Sequence, residues 1–502
     1  MQSRLKNAKI NIYVGIFTQF IILILSFISR RLFVQYLSVE YLGINGLYTN
    51  ILSVLSLAEL GLGSVASYSL YKPVAEDNKP AILGLLKYFK KLYRIIALVI
   101  TILGIALTPF LKYIITSDLS QAELIIYYLL FLASTVSTYF AAHNMALLFA
   151  YQENRIPKLV KLITAVTQQI IHFIILLVFP NYMVYVSSTI ICAIFSNYFL
   201  SVITTQKHSY LKTKEIPDYD IPKEYIKSNI KSSSIYKLSL VAINSTDNIL
   251  ISVLVSTMAV GLYSNYVAIT SAVQSFISII TIALINGIGN LYAENDKKQT
   301  LAAFKSLVLI YHFIACMGAI FFYHILNPFI SIWLGKEYLM SNNVIIAICL
   351  NFFVLNATTP IWSFREATGQ FTATKYIILI TAILNILLSV IMGYYWGVTG
   401  ILIATVVAQA LTIIWYEPKI LFKNVFEDRQ SIYWKKQIKY FICSLICVAL
   451  CGIVSKFMLN GIIGMALFGI ETLIICSIIF YLATCRDEEI LKIKLLLSKK
   501  NR

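Results

Sequence analysis

The chain reads AEDNKPAILGLLKYFKKLYRIIA from Ala75 to Ala97 and AENDKKQTLAAFKSLVLIYHFIA from Ala293 to Ala315, which lies 218 residues later. Eight of these 23 positions are identical without a gap. The same offset pairs Gly43 with Gly261 in a second short match. The sequence therefore contains two copies of one unit, and this duplication sets the expected fold.

Apolar side chains dominate the composition. Hydrophobic residues fill 59% of the 502 positions and charged residues only 13%, whereas about a quarter of the residues in an ordinary globular domain are charged. The mean hydropathy is +0.78. Because a backbone in lipid must satisfy its own hydrogen bonds, long apolar runs of roughly 20 residues are predicted to be membrane-spanning helices. The sequence predicts an all-α integral membrane protein.

Fourteen runs are long enough to cross a membrane. The first six and the next six belong to the two copies, and six is an even number, so both copies begin on the same side of the membrane. Parallel repeats of this kind are expected to enclose a central cleft that opens to alternate sides, as in transporters. The last two spans lie outside the duplication. The predicted spans are residues 10–37, 42–70, 93–116, 124–150, 162–179, 183–205, 235–255, 259–291, 307–326, 344–363, 376–395, 398–416, 440–455 and 462–483.

Basic residues give the expected orientation and domain boundaries. Of the 41 Lys and Arg residues, 36 fall on the connections that share one side with the N-terminus, which the positive-inside rule assigns to the cytoplasm together with both termini. The net charge of +18 is then membrane anchoring, and no nucleic-acid partner is predicted. The predicted domains are a six-helix lobe (1–206), a cytoplasmic linker (207–231), a second six-helix lobe (232–417), spans 13 and 14 (418–484) and a basic amphipathic tail on the membrane surface (485–502).

One carboxylate, Glu59, lies in the middle of the apolar run 42–70. If this run is one helix, Glu59 shares an arc of about 120° with several Ser, Thr and Gly residues. An ionised group at mid-membrane costs roughly 2.5–3.5 kcal/mol, so such a face is expected to meet water or a partner. Two roles remain open for Glu59, namely the coupling of transport to H⁺ or Na⁺ and a structural hydrogen bond to a neighbouring helix.

Cationic side chains are predicted to line the cleft. Arg30 and Arg31 lie near the outer third of the first span and point about 100° apart, so at most one readily faces the cleft. Arg30 is the stronger candidate for binding a phosphate or carboxylate through its bidentate guanidinium, while snorkelling to the interface remains open for both residues. In the seventh span Lys237 is expected to share its helix face with Asn244 and Asn248.

Asp247 lies beside that face, and the offset of 218 places Arg30 opposite Asn248. Arg30 and Asp247 are therefore expected at similar depth, where they could pair in one transport state and separate in another. If so, exchanging the two charges together should recover activity that each single change loses. Asp247, Asn244, Asn248 and Glu59 form the predicted coupling or gating set.

Two further groups have alternative interpretations. Arg365, at the end of the tenth span, is expected to guide an anionic headgroup at the cytoplasmic mouth or to anchor its helix at the interface. Cys443, Cys447 and Cys451 share one helix face, and we interpret them as small packing residues rather than a metal site. No metal or cofactor is predicted. The sequence also lacks a Ser/His/Asp set, a phosphate-cradling glycine loop and a large external loop, so an integral polymerase or acyltransferase is disfavoured and no enzyme is predicted.

Three segments carry a resemblance to a known family. They are SFISRRLFVQYLSVEYLGINGLYTN, LSLAELGLGS running into SLYKPVAEDN, and INSTDNILISVLVSTMAVGLYSNY. Together they resemble the bacterial polysaccharide-repeat flippases of the Wzx type, within the multidrug, oligosaccharidyl-lipid and polysaccharide exporter (MOP) superfamily. The resemblance covers nearly the whole chain and implies two six-helix lobes plus two extra helices. Arg30 also resembles a cavity arginine of lipid II flippases.

The resemblance implies a substrate and a compartment. Members of this family move undecaprenyl-diphosphate-linked oligosaccharide from the inner to the outer leaflet of the bacterial plasma membrane, for capsule, exopolysaccharide or O-antigen synthesis. It implies membrane lipid and a coupling H⁺ or Na⁺ as partners, with a polysaccharide polymerase as a further candidate. Transport of lipid II or of teichoic or teichuronic acid precursors, and drug/cation antiport, remain the alternatives.

Overall fold

A computed structural model describes residues 2–59, 62–153, 155–213, 245–293, 296–457 and 461–487, with isolated positions between 221 and 243 and at 459. These residues form helices joined by turns, and no β-strand occurs among them. The predicted all-α fold is confirmed. Lys237, Asn244, most of the predicted linker and the tail after residue 487 lie outside the described residues.

The helices are numbered here in chain order over the described ranges. They are α1 (Gln2–Tyr36), α2 (Val39–Leu55), α3 (Leu62–Ala75), α4 (Lys79–Leu107), α5 (Leu111–Ile114), α6 (Gln121–Tyr139), α7 (Ala142–Ala150), α8 (Arg155–Val178), α9 (Tyr182–Lys207), α10 (Asp247–Leu254), α11 (Thr257–Ala293), α12 (Lys297–Trp333), α13 (Asn342–Ala367), α14 (Phe371–Leu411), α15 (Ile413–Leu421), α16 (Ser431–Val454) and α17 (Gly461–Thr484).

The duplication is visible in the helix boundaries. Four boundaries of the first repeat recur 218 residues later: the ends of α1 and α10 at Tyr36 and Leu254, the starts of α2 and α11 at Val39 and Thr257, the ends of α3 and α11 at Ala75 and Ala293, and the starts of α4 and α12 at Lys79 and Lys297. The N-caps match as well. Asn78 accepts a hydrogen bond from the backbone N–H of Ala81 at 3.1 Å, and Asp296 accepts one from Gln299 at 2.9 Å, so each cap satisfies a free N–H of the first turn.

The chain divides into two compact units, Met1–Gly261 and Leu262–Arg502. Within the first unit α1 packs on α8, α8 on α9, α9 on α6, and α3 and α4 on α7. Within the second unit α12 packs on α13, and the last two helices, α16 and α17, pack on each other and on α12. The core of the second unit is largely the apolar surface that these last two helices share with α12.

Eleven of the described helices are long and apolar enough to span a membrane, against fourteen predicted spans. Three places account for the difference. The run 42–70 is interrupted by a 3-10 turn at Ser56–Glu59, the run 235–255 lies mostly outside the described residues, and the runs 376–395 and 398–416 fall within one continuous stretch, Ala373–Phe426.

That continuous stretch is a helical hairpin. Gly397 adopts φ 57° and ψ −137° between two helical halves of α14, a conformation that favours glycine because it lacks a Cβ. Side chains join the two arms, since Thr381 and Thr412 hydrogen-bond at 2.7 Å and Asn385 donates to Thr405 at 2.9 Å. The eleventh and twelfth predicted spans are therefore present as two antiparallel helices.

The glycines paired by the duplication lie against each other within the first unit. A Cβ added to Gly43 on α2 would lie 2.1 Å from the carbonyl oxygen of Thr257, and one added to Gly261 on α11 would lie 2.1 Å from that of Val39. Small residues let helix backbones approach closely, which is how helices associate in lipid. The helices α2 and α11 thus cross at Gly43 and Gly261, where any larger side chain would meet a backbone carbonyl.

Candidate functional site

Arg30 lies on α1 beside an aromatic surface of the first unit. Its side chain is half-buried, whereas that of Arg31 is exposed. Tyr185 of α9 interacts electrostatically with Arg30 and lies close to the buried Ser29. The Tyr185 ring stacks on His172 with centroids 3.7 Å apart. A guanidinium beside phenol rings and hydroxyls can bind an oxyanion and leave apolar ring faces for a neighbouring group.

Tyrosines extend this surface along α9, and the sequence analysis missed them. Tyr41 stacks on Tyr182 with centroids 4.1 Å apart, and Tyr127 meets the Tyr182 ring edge-on at 4.7 Å. The Tyr182 hydroxyl donates to the side chain of Asn45. Clusters of buried tyrosines have no local sequence signal, because the three rings come from three different helices.

Glu59 lies at the end of the 3-10 turn between α2 and α3 rather than inside a continuous helix. The hydroxyls of Tyr139 and Tyr93 lie near the Glu59 carboxylate and interact with it electrostatically. The hydroxyls near Glu59 bond within their own chain segment, and the predicted polar face stays a prediction. Those of Thr49, Ser53, Ser56 and Ser67 each donate to the carbonyl four residues earlier in their own helix, at 2.7–3.0 Å. Such bonds satisfy the hydroxyls and bend the helix.

Asp247 and Asn248 open α10, which packs on α2. The Asp247 Oδ1 atom is buried and has no hydrogen-bond partner among the described residues. The Asn248 side chain faces Gly46, where an added Cβ would lie 3.6 Å from its amide nitrogen. Within the described part of the chain no ion pair joins Asp247 to Arg30, and the predicted pairing in another transport state stays a prediction.

Arg365 has a protein partner. It is buried on α13, with 3% of its surface exposed, and pairs with the equally buried Glu417 on α15. Its second terminal nitrogen lies 3.4 Å from Glu366. Two buried charges that neutralise each other hold α13 to α15, and this placement favours a structural role for Arg365 over contact with a headgroup.

Four cations on α4 line a cavity of about 1160 Å³ within the first unit. They are Lys87, Lys90, Lys91 and Arg94, and their i, i+3, i+4, i+7 spacing places them on one helix face. The sequence analysis counted them only as cytoplasmic charges, although this spacing would have revealed the stripe. The opposite wall includes His143 and Asn144 of α7 and Ser201 of α9.

Thiols form one cluster in the apolar core of the second unit. The Sγ atoms of Cys316, Cys447 and Cys476 lie within 4.8 Å of one another, the one such group of possible metal ligands in the described ranges. The predicted set of Cys443, Cys447 and Cys451 shares only Cys447 with it. The cluster is built from three helices, α12, α16 and α17, so sequence spacing could not show it.

Comparison with known proteins identifies the fold. No protein-family model and no curated protein matches the chain. Among solved structures the lipid II flippase MurJ, in an inward closed conformation, superposes with a TM-score of 0.67 at 16% identity over 93% of this chain and 99% of that one. The chain has the fold of the MOP-superfamily transporters.

Two transporters of that superfamily also match. An inward-facing multidrug resistance MATE transporter gives a TM-score of 0.61 at 14% identity, over 80% of this chain and 97% of its own. A MATE transporter from Vibrio cholerae gives 0.57 at 14% identity, over 85% of this chain and 99% of its own. Together with the eleven apolar helices, this MOP fold makes the chain a multi-pass membrane protein.

Proposed function

We propose that the protein is a Wzx-type flippase of the MOP superfamily. It would move undecaprenyl-diphosphate-linked oligosaccharide from the inner to the outer leaflet of the bacterial plasma membrane by alternating access. The observation that carries the proposal is coverage: the lipid II flippase matches 93% of this chain, whereas the multidrug transporter matches 80% although nearly its whole length is used. This wider coverage supports a lipid-substrate flippase over a drug transporter.

Arg30 is the proposed contact for the substrate diphosphate. Its guanidinium offers a bidentate fork to phosphate oxygens, and the tyrosine surface around Tyr185 provides the ring faces on which sugars can stack. Lys237 is proposed to add a second cation. Arg365 is left out of this set, because Glu417 already neutralises it.

Glu59 and Asp247 are the proposed coupling groups, with Asn244 and Asn248 beside them. The energy for transport would come from an ion gradient or from consumption of the product. A carboxylate at a helix break and another with a buried oxygen that lacks a partner in the described chain are suited to take up H⁺ or Na⁺. Glycosyl polymerisation on the outer face would consume the product, and a polysaccharide polymerase is the corresponding proposed partner.

The test is a deletion strain that carries variants. Loss of the gene should leave lipid-linked repeat units on the cytoplasmic leaflet and stop glycan output, and Arg30→Gln should fail to restore it. Arg31→Gln, an equal charge change on the exposed neighbour, should restore it. Normal glycan output with loss of dye or drug export would overturn the proposal in favour of antiport.

Lipid II is the second candidate substrate, because MurJ is a lipid II flippase with the same fold. The two substrates share the diphosphate, so Arg30 would serve either. They are distinguished by complementation: a lipid II flippase would rescue a strain depleted of its own, whereas a repeat-unit flippase would restore only the surface glycan.

A further inference from the structure

The cavity beside α4 has a net positive lining. Of the described residues that line it, four are Lys or Arg and none is Asp or Glu. Lys87, Lys90, Lys91 and Arg94 are exposed and take part in no ion pair within the described chain. Four like charges within about 10 Å of helix repel one another, so a bound anion would stabilise this surface.

Two described acids of this unit are engaged by other cations. Glu153 lies 2.6 Å from Lys207 and 3.3 Å from His208, and Asp77 lies 3.7 Å from Lys79. The Glu153 cluster fixes the segment after α9, whose Leu211 forms part of the cavity wall. No acid of the described residues pairs with the cavity cations.

A buried histidine on the opposite wall also lacks a partner. His143 has only 9% of its surface exposed, and its Nδ1 atom has no hydrogen-bond partner among the described residues. Asn144, beside it, donates to Ser201 at 3.0 Å across the same wall. A buried polar atom without a partner is uncommon and indicates a missing ligand or water.

The second repeat shows what this helix face looks like when protein covers it. At the offset of 218, Leu86, Lys87 and Lys90 correspond to Phe304, Lys305 and Val308 of α12. These three line a pocket of only about 10 Å³. Phe422, just after α15, and Tyr433 of α16 close this pocket. Among the described residues of the first repeat, the corresponding face is cationic and lines the cavity instead.

We propose that this cavity binds the phosphate group of an anionic membrane lipid. The positive-inside rule assigns this end of α4 to the cytoplasmic interface, and basic pockets between helices at that depth suit lipid headgroups. Leu83, Leu92 and Ile95 add apolar surface for the upper acyl chains. In the first repeat the lipid would occupy the position that α16 occupies in the second repeat. This site is separate from the Arg30 surface.

The test measures lipid binding to the purified full-length protein by native mass spectrometry. The probes are dioleoyl phosphatidylglycerol, dioleoyl phosphatidylcholine and inorganic pyrophosphate. The double variant Lys90→Gln/Arg94→Gln should bind phosphatidylglycerol at least about tenfold more weakly, because it loses two charge-assisted contacts. The control Arg155→Gln/Lys161→Gln removes one Arg and one Lys that are exposed on α8, outside the cavity, and should leave binding unchanged.

The charge-preserving variant Lys90→Arg/Arg94→Lys should keep binding and shows that loss is not misfolding. Phosphatidylglycerol binding that pyrophosphate does not displace identifies the lipid as the source of the phosphate. Tight pyrophosphate binding with the same sensitivity to Lys90→Gln/Arg94→Gln would assign the site to a soluble phosphate and overturn the lipid. Equal loss in both double variants, or no preference over phosphatidylcholine, would overturn the site itself.

Discussion

In the first repeat the chain from Val39 to Ala75 forms two α-helices around a 3-10 turn, whereas in the second repeat the corresponding chain, Thr257–Ala293, is one α-helix. The sequences explain the difference. Where the first copy has Glu59-Leu-Gly-Leu-Gly63, the second has Ile277-Ser-Ile-Ile-Thr281. Each glycine disfavours helix by about 1 kcal/mol relative to alanine, and back-bonded serines before the turn weaken it further.

The two copies thus differ in local structure at the place where Glu59 lies in the first copy. Irregular backbone at membrane depth is tolerated only where protein or water satisfies it, and broken helices are where transporters bind ions and substrates. The polar break, Arg30 and the cationic cavity all belong to the first copy. The second copy contributes a continuous helix, the buried Asp247 oxygen and an apolar face covered by α16 and α17. The following predictions test how far the difference between the two copies extends.

The largest expected effect is at Arg365. In the second copy α13 is joined to α15 by the buried pair of Arg365 and Glu417, whereas the corresponding helices of the first copy, α7 and α9, meet with α8 in an apolar cluster that contains Leu148 and Leu200. Arg365→Leu should lower the free energy of unfolding by about 3–5 kcal/mol, because it leaves a buried carboxylate without its partner. Unfolding in mixed detergent micelles measures this loss.

The double variant Arg365→Leu/Glu417→Leu is the matched control. It replaces the ion pair by apolar side chains, as in the first repeat, so most of the lost free energy of unfolding should return. A double variant as unstable as the single one would show that packing volume, and not the unpaired charge, sets the cost at this position.

The next effect concerns the α4 and α12 faces. Val308→Lys places the first copy's cation into the covered face of α12, where Val308 is 2% exposed. It should destabilise the protein by about 3 kcal/mol, because the buried ammonium group loses water and gains no partner. The reciprocal Lys90→Val, on the open face of α4, should change stability by less than about 0.5 kcal/mol. Similar effects of the two changes would contradict the proposed asymmetry.

Features that depend on local composition or on the internal duplication could be predicted from the sequence. Span positions, the hairpin of α14 and the repeat itself follow from local composition and from the 218-residue match. The 3-10 turn at Ser56–Glu59 was not predicted. A continuous apolar run predicts one helix, even where glycines and back-bonded serines interrupt that helix. The partner of Arg365 was missed because Glu417 is 52 residues away, and no local pattern relates residues so distant in the chain.

A smaller effect is expected at the crossing of α2 and α11. Gly43→Ala would put its Cβ 2.1 Å from the Thr257 carbonyl oxygen, so the backbones must separate, at a cost of about 1–3 kcal/mol. Gly46→Ala, one turn along the same helix, meets its nearest atoms at an ordinary 3.6 Å and should be neutral. The two melting temperatures in one detergent give the comparison, and equal shifts would exclude the close crossing.

The smallest expected effect is at two hydroxyl groups, those of Thr257 and Ser252, whose counterparts in the first copy are valines. Thr257 accepts a hydrogen bond from the backbone N–H of Thr116 at 3.0 Å and bonds the Ser252 hydroxyl at 2.8 Å. The first copy has Val39 and Val34 at the corresponding positions. Thr257→Val therefore converts one copy toward the other with little change of shape, and the loss of these bonds should cost about 1 kcal/mol.

Thr101→Val is the matched control for that change, because the Thr101 hydroxyl bonds only the Ala97 carbonyl of its own helix at 2.7 Å, so its loss should cost less than about 0.5 kcal/mol. If Thr257→Val proves as neutral as Thr101→Val, the two hydroxyl groups add nothing beyond the fit of α10 and α11 on the segment after α5. If it costs the expected amount, hydrogen bonds between side chain and backbone hold this junction together, at a point where the first copy uses valine packing alone.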